Sequence, residues 1–94
     1  MASNEPERRS FEIKNKLGLH ARAAVQVVQL ATKYDAEISV TKEGQTVNGK
    51  SIIGLMMLAA AKGQAIEITA AGPQAVEALD ALGELIERCF DEEE

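Results

Sequence analysis

An α+β fold, an open four-stranded antiparallel sheet with three helices on one face, follows from three features of the sequence. Four short stretches alternate polar and apolar residues, and three longer ones repeat apolar residues at helical spacing. The two kinds interleave as strand, helix, strand, strand, helix, strand, helix. Strands with one apolar face each need covering on one side only, so the other face of the sheet is wet. The 94 residues suit a single domain, and with only 3% aromatic residues its core must be built from Ile, Leu, Val, Met and Ala.

Residues 1–9 combine Pro6 with charges and show no periodicity, which reads as a flexible tail ahead of a domain at 10–90 and an acidic end at 91–94. Ser10-Phe-Glu-Ile-Lys14 alternates as a half-buried strand, with Phe11 and Ile13 on one side. After Gly18, the residues Ala24, Val27, Val28, Ala31 and Tyr34 recur at helical spacing against a stripe of Arg22, Gln26, Gln29 and Lys33. His20 falls at the N-cap of that helix.

Glu37-Ile-Ser-Val-Thr41 and Thr46-Val-Asn48 flank a turn at Lys42-Glu-Gly-Gln45, the pattern of a hairpin whose core residues are Ile38, Val40 and Val47. Ser51 is placed to cap a helix running from Ile52 to Ala61, which Lys62-Gly63 ends. Ala65-Ile-Glu-Ile-Thr69 alternates again. Pro73 then falls in the first turn of a last helix, with Val76, Leu79, Leu82, Ile86 and Phe90 as its buried stripe.

A net charge of -5 argues against nucleic acid or an anionic membrane as partner, since both call for a basic surface. Cys89 is the only cysteine, so no intramolecular disulfide can form and a structural zinc site lacks ligands. The first residues have no signal-peptide apolar core, and no apolar run approaches the roughly 20 residues of a membrane span. A cytoplasmic location is the expectation.

His20 is the only histidine of the chain. A helix N-terminus offers unpaired N–H groups and the positive end of the macrodipole, which together stabilise a dianionic phosphoryl group on the imidazole. Arg22 adds a planar guanidinium able to bind two phosphoryl oxygens, although an ordinary solvated charge would also suit its stripe. Ser51, besides capping, would tolerate a phosphate at its helix N-terminus. The run Ile52-Ile-Gly-Leu-Met-Met-Leu58 has almost no polar stripe, so part of Ile52, Ile53 and Met56 must stay exposed as an adaptable docking patch. Cys89 reads as a buried or helix-flank thiol, and Asp91-Glu-Glu-Glu94 as a solvated, frayed end.

Leu17-Gly-Leu-His-Ala-Arg22 and Asn48-Gly-Lys-Ser-Ile-Ile-Gly-Leu-Met-Met57 together resemble the active-site and regulatory-serine motifs of the HPr family, the histidine-containing phosphocarriers of the bacterial phosphotransferase system. The resemblance spans Ser10 to about Phe90. It implies that His20 is phosphorylated through Nδ1, that Arg22 stabilises the phosphate, and that Ser51 matches the serine modified by HPr kinase/phosphorylase. It also implies a phosphoryl group that arrives from phosphoenolpyruvate through Enzyme I and leaves to a histidine of an EIIA-type domain, both partners docking at Ile52, Ile53 and Met56. Such a protein is a monomeric carrier that needs no cofactor, not an enzyme in its own right. Where many members have proline after the arginine, this chain has Ala23. Two rival readings are a nitrogen-type regulatory phosphorelay carrier using the same histidine, and a non-catalytic binding module controlled through Ser51.

Overall fold

The computed structural model describes residues 5–92. They form strands β1 (Glu7–Glu12), β2 (Glu37–Lys42), β3 (Gln45–Asn48) and β4 (Ala65–Ala71) and helices α1 (Ala21–Ala31), α2 (Ile52–Met57) and α3 (Ala75–Glu87), in the order the sequence predicts. The sheet is ordered β1-β4-β2-β3 with every neighbouring pair antiparallel. Alternation decides which face is covered: Ile66, Ile68 and Ala70 of β4 and Ile38 and Val40 of β2 are buried, while Glu67, Thr69, Ser39 and Thr41 point to the other side. Above the buried face lie Ala24, Val27 and Ala31 of α1, Leu55 of α2, and Leu79, Leu82 and Ile86 of α3, in one continuous core. The β2–β3 turn is made by Glu43 and Gly44, whose φ values of 49° and 83° give the positive pair that matches strand twist in a two-residue hairpin.

Several boundaries differ from the sequence reading. The first strand begins at Glu7, so Glu7, Arg8 and Arg9, which read as tail, pair with Ala70, Thr69 and Ile68 of β4. Arg9 stands in register with Ile68 on the helix side of the sheet, where a charge masks the alternation, and its guanidinium reaches Asp80 of α3 at 2.6 Å. Lys14 makes a matching tie to Glu87 at 2.7 Å; that hydrogen bond and the carboxylate's charge hold its ammonium above the ordinary lysine range. The rest of the tail reading, residues 1–4, and the last two acidic residues, 93–94, lie outside the described residues.

Helix α2 stops at Met57 instead of continuing to Ala61. Tertiary partners replace the intrahelical ones: the Lys42 ammonium donates to the carbonyls of Leu58 and Ala59 at 3.0 and 3.2 Å, and the Ala60 carbonyl accepts from Leu19 N–H at 2.8 Å. Ala59 accordingly leaves the helix at φ 51°. In α3 the cap is Gln74, so Pro73 precedes the helix, and the buried stripe is Ala75, Ala78, Leu79, Leu82, Leu85 and Ile86. Val76, expected in that stripe, is exposed because one residue past Ala75 turns it about 100° away. Phe90 is fully buried as expected, and Cys89 is buried beside it. No helix among the described residues is long and apolar enough to cross a membrane.

Candidate active site

The segment from Asn15 to His20 is a loop pinned at three points. Leu19 N–H bonds to Ala60 O, Gly18 N–H donates to Asn15 O at 3.2 Å, and the Asn15 side chain donates back to Gly18 O at 2.8 Å. Gly18 sits at φ +67°, and a Cβ there would lie 2.3 Å from the Ala60 carbonyl oxygen, so this crossing admits only glycine. Pinned in this way, the loop delivers His20 to the N-cap of α1 in extended conformation, with its carbonyl accepting from Ala24 N–H at 2.8 Å.

The end of α1 at His20 is open to an anion. The His20 side chain makes no capping hydrogen bond and the first turn carries no acidic residue, so the initial N–H groups and the positive end of the helix are uncompensated from within the helix. Arg22 lies exposed in that first turn, and Lys16, Leu17, His20, Arg22, Asp91 and Glu92 line one shallow depression. A second depression carries His20 across to Leu17, Met56 and Ala59–Ala61, so the imidazole borders both a surface of mixed charge and an apolar one.

The apolar surface is larger than the sequence reading. Ile52, Ile53 and Met56 are exposed as expected, but so are Leu17 (67%) and Met57 (65%). Only Leu55 of α2 is wholly buried, because a helix this short can turn one position into the core. Ser51, a half-buried residue, is the N-cap of α2: its Oγ accepts from Gly54 N–H at 3.0 Å.

Two residues that the motifs did not single out complete the site. Asn15 is fully buried, and Glu92 puts one carboxylate oxygen 2.5 Å from His20 Nε2 and the other 2.9 Å from Asn15 Nδ2. The Glu92 side chain is only 11% exposed, against the expectation of a frayed acidic end. No sequence pattern announces this contact, because it depends on a reversal of the chain after α3.

Comparison with known proteins fits this geometry. The chain matches the family described as PTS HPr component phosphorylation site over residues 7–88, a stretch that includes the His20 loop, α1 and the Ser51 cap. It is 53% identical over 87 residues to a phosphocarrier protein HPr of Neisseria meningitidis, covering 93% of this chain and 98% of the relative. The chain belongs to the HPr family. A phosphocarrier protein NPr of Klebsiella oxytoca is 47% identical over 92% of this chain and 97% of its own. The crystal structure of HPr-C-His from Thermoanaerobacter tengcongensis superposes with a TM-score of 0.89 at 44% identity, covering 94% of this chain and 99% of that one. HPr-family proteins are phosphocarriers of the phosphotransferase system, carrying a phosphoryl group instead of turning over a substrate of their own. Glu92 lies beyond the family match, which ends at residue 88.

Proposed function

We propose that this chain accepts a phosphoryl group from phospho-Enzyme I on His20 Nδ1 and passes it to a histidine of an EIIA-type domain, in the sugar-uptake or the nitrogen-regulatory branch. The observation that carries the reading is the chain's only imidazole, placed at the N-cap of a helix whose first turn carries no acidic residue. In the acceptance step the Nδ1 lone pair attacks phosphorus, the donor's N–P bond breaks, and its electron pair returns to the donor ring. The first-turn N–H groups of α1 and the Arg22 guanidinium receive the phosphoryl oxygens as charge redistributes over them. Donation is the same step reversed on a second partner, so one site serves both.

The apolar border supports the docking half of the reading. Ile52, Ile53 and Met56, joined by Leu17 and Met57, form a deformable surface next to the imidazole, suited to meeting two different partners in turn. Phosphorylation of the Ser51 hydroxyl would add negative charge at the foot of that patch and repel acidic partners without breaking the fold. The test is incubation with Enzyme I, Mg²⁺ and phosphoenolpyruvate, read by intact mass. An acid-labile adduct on the unsubstituted protein and none on His20→Ala supports the reading; an adduct retained by His20→Ala overturns it.

A further inference from the structure

After α3 the chain reverses through Cys89, Phe90 and Asp91, whose φ values are 56°, 54° and 60°. Three consecutive non-glycine residues in the left-handed region are held against a steric preference, and such strain survives only where packing over-determines it. Here the fully buried Phe90 is the anchor, with Cys89 buried beside it. The product of the turn is the placement of Glu92, whose two carboxylate oxygens reach His20 Nε2 at 2.5 Å and Asn15 Nδ2 at 2.9 Å. Asn15 is itself fixed, being fully buried and bonded to Gly18 O.

We propose that Glu92 is a positioning residue for the phosphoryl transfer: bridging His20 and Asn15, its carboxylate holds the proton on Nε2 and leaves the lone pair on Nδ1. A carboxylate can only accept, so a neutral imidazole facing it at this distance must present N–H. The tautomer and the ring plane are thereby set before a donor arrives, in the way a buried carboxylate orients a catalytic histidine. As Nδ1 bonds to phosphorus and the donor's N–P pair leaves, positive charge grows on the His20 ring; Nε2 keeps its proton and the carboxylate balances the charge. The proposal rests on the phosphocarrier reading for its kinetic part but not for its tautomer part.

The test compares the full chain with Glu92→Ala and Glu92→Gln by ¹⁵N-resolved NMR of the imidazole and by single-turnover phosphorylation from phospho-Enzyme I. The expected spectrum, at about pH 8 where a free imidazole is ordinarily neutral, shows Nε2 protonated with a downfield hydrogen-bonded proton that Glu92→Ala loses. The expected rate constant falls about tenfold to a hundredfold in Glu92→Ala, the scale of one hydrogen bond to a charged group, with the half-saturating concentration of Enzyme I unchanged. Glu92→Gln, whose carbonyl still accepts the proton, keeps the tautomer and loses part of the rate. Far-UV circular dichroism and the unfolding midpoint of each variant separate loss of fold from loss of positioning. Nδ1 protonation in the unsubstituted protein, an imidazole spectrum indifferent to Glu92→Ala, or an unchanged rate would each overturn the proposal. Absence of any adduct on the unsubstituted protein overturns the phosphocarrier reading and the kinetic part with it, while the spectrum still decides the tautomer.

Discussion

Replacing Gly18 with alanine tests how the His20 loop is held, and the structure supplies the magnitude. The alanine must adopt φ +67°, costing about 1–2 kcal/mol for an L residue in the left-handed region. Its Cβ would stand 2.3 Å from the Ala60 carbonyl oxygen and 3.0 Å from Ala61 Cα, both backbone atoms that no rotamer change can move. Separating the strands of chain costs a further ~1–3 kcal/mol of overpacking. The Leu19 N–H to Ala60 O bond of 2.8 Å lies at the same crossing, and losing it adds about 0.5–1.5 kcal/mol. The sum, roughly 2.5–6.5 kcal/mol, is a large share of the ~5–15 kcal/mol typical of a domain and corresponds to a Tm lowered by at least about 10 °C. Gly44→Ala is the control, since φ there is +83° but nothing lies within 4 Å of its Cβ, leaving only the conformational term of about 1–2 kcal/mol. Urea unfolding followed by circular dichroism, with equal m-values, measures both. Equal losses in the two variants would refute the role given to the Ala60 crossing.

Ser51→Ala removes the Oγ acceptor of Gly54 N–H and should cost about 1 kcal/mol by thermal unfolding, while His20 phosphorylation proceeds unchanged. Ile53→Glu, at a position 73% exposed, should leave stability within about 0.5 kcal/mol. Its effect should fall on the concentration of Enzyme I needed for half-maximal phosphorylation, which rises. Phe90→Ala empties a fully buried site and should cost about 3–5 kcal/mol by denaturant unfolding; in the folded fraction it should also release Glu92 from His20, seen as loss of the downfield imidazole proton.

The fold was legible where one physical signal governed an element. Ile66 and Ile68 alternate with polar neighbours in β4, and the positive-φ pair at Glu43-Gly44 closes the hairpin whose loop the sequence marks. It was least legible where tertiary contacts overrode local preference. Ala59-Ala60-Ala61 has high helix propensity, yet Lys42 and Leu19 take its carbonyls and those just before it, and the helix ends early. Arg9 hides a strand because its charge faces α3, where Asp80 receives it. At the site, His20, Arg22 and Ser51 stood out because residue type and helix position coincide. Glu92 did not, since only the left-handed turn at Cys89–Asp91, built from residues that do not favour that conformation, brings an acidic chain end back over the imidazole. Leu17 and Met57 do not stand out as exposed in the sequence, because which apolar residues of a short helix and of the separate β1–α1 loop face outward is decided by tertiary packing.

The central claim, that His20 is a way station for a phosphoryl group, is tested most directly by a chase. Protein phosphorylated by Enzyme I is freed of Enzyme I and phosphoenolpyruvate, its N–P bond is assigned by ³¹P and ¹⁵N NMR, and an EIIA-type domain is added. The account predicts a single adduct on His20 Nδ1 whose phosphoryl group appears on the EIIA histidine as it leaves this chain. An adduct on another residue, or one that decays to inorganic phosphate without reaching the acceptor, would contradict it.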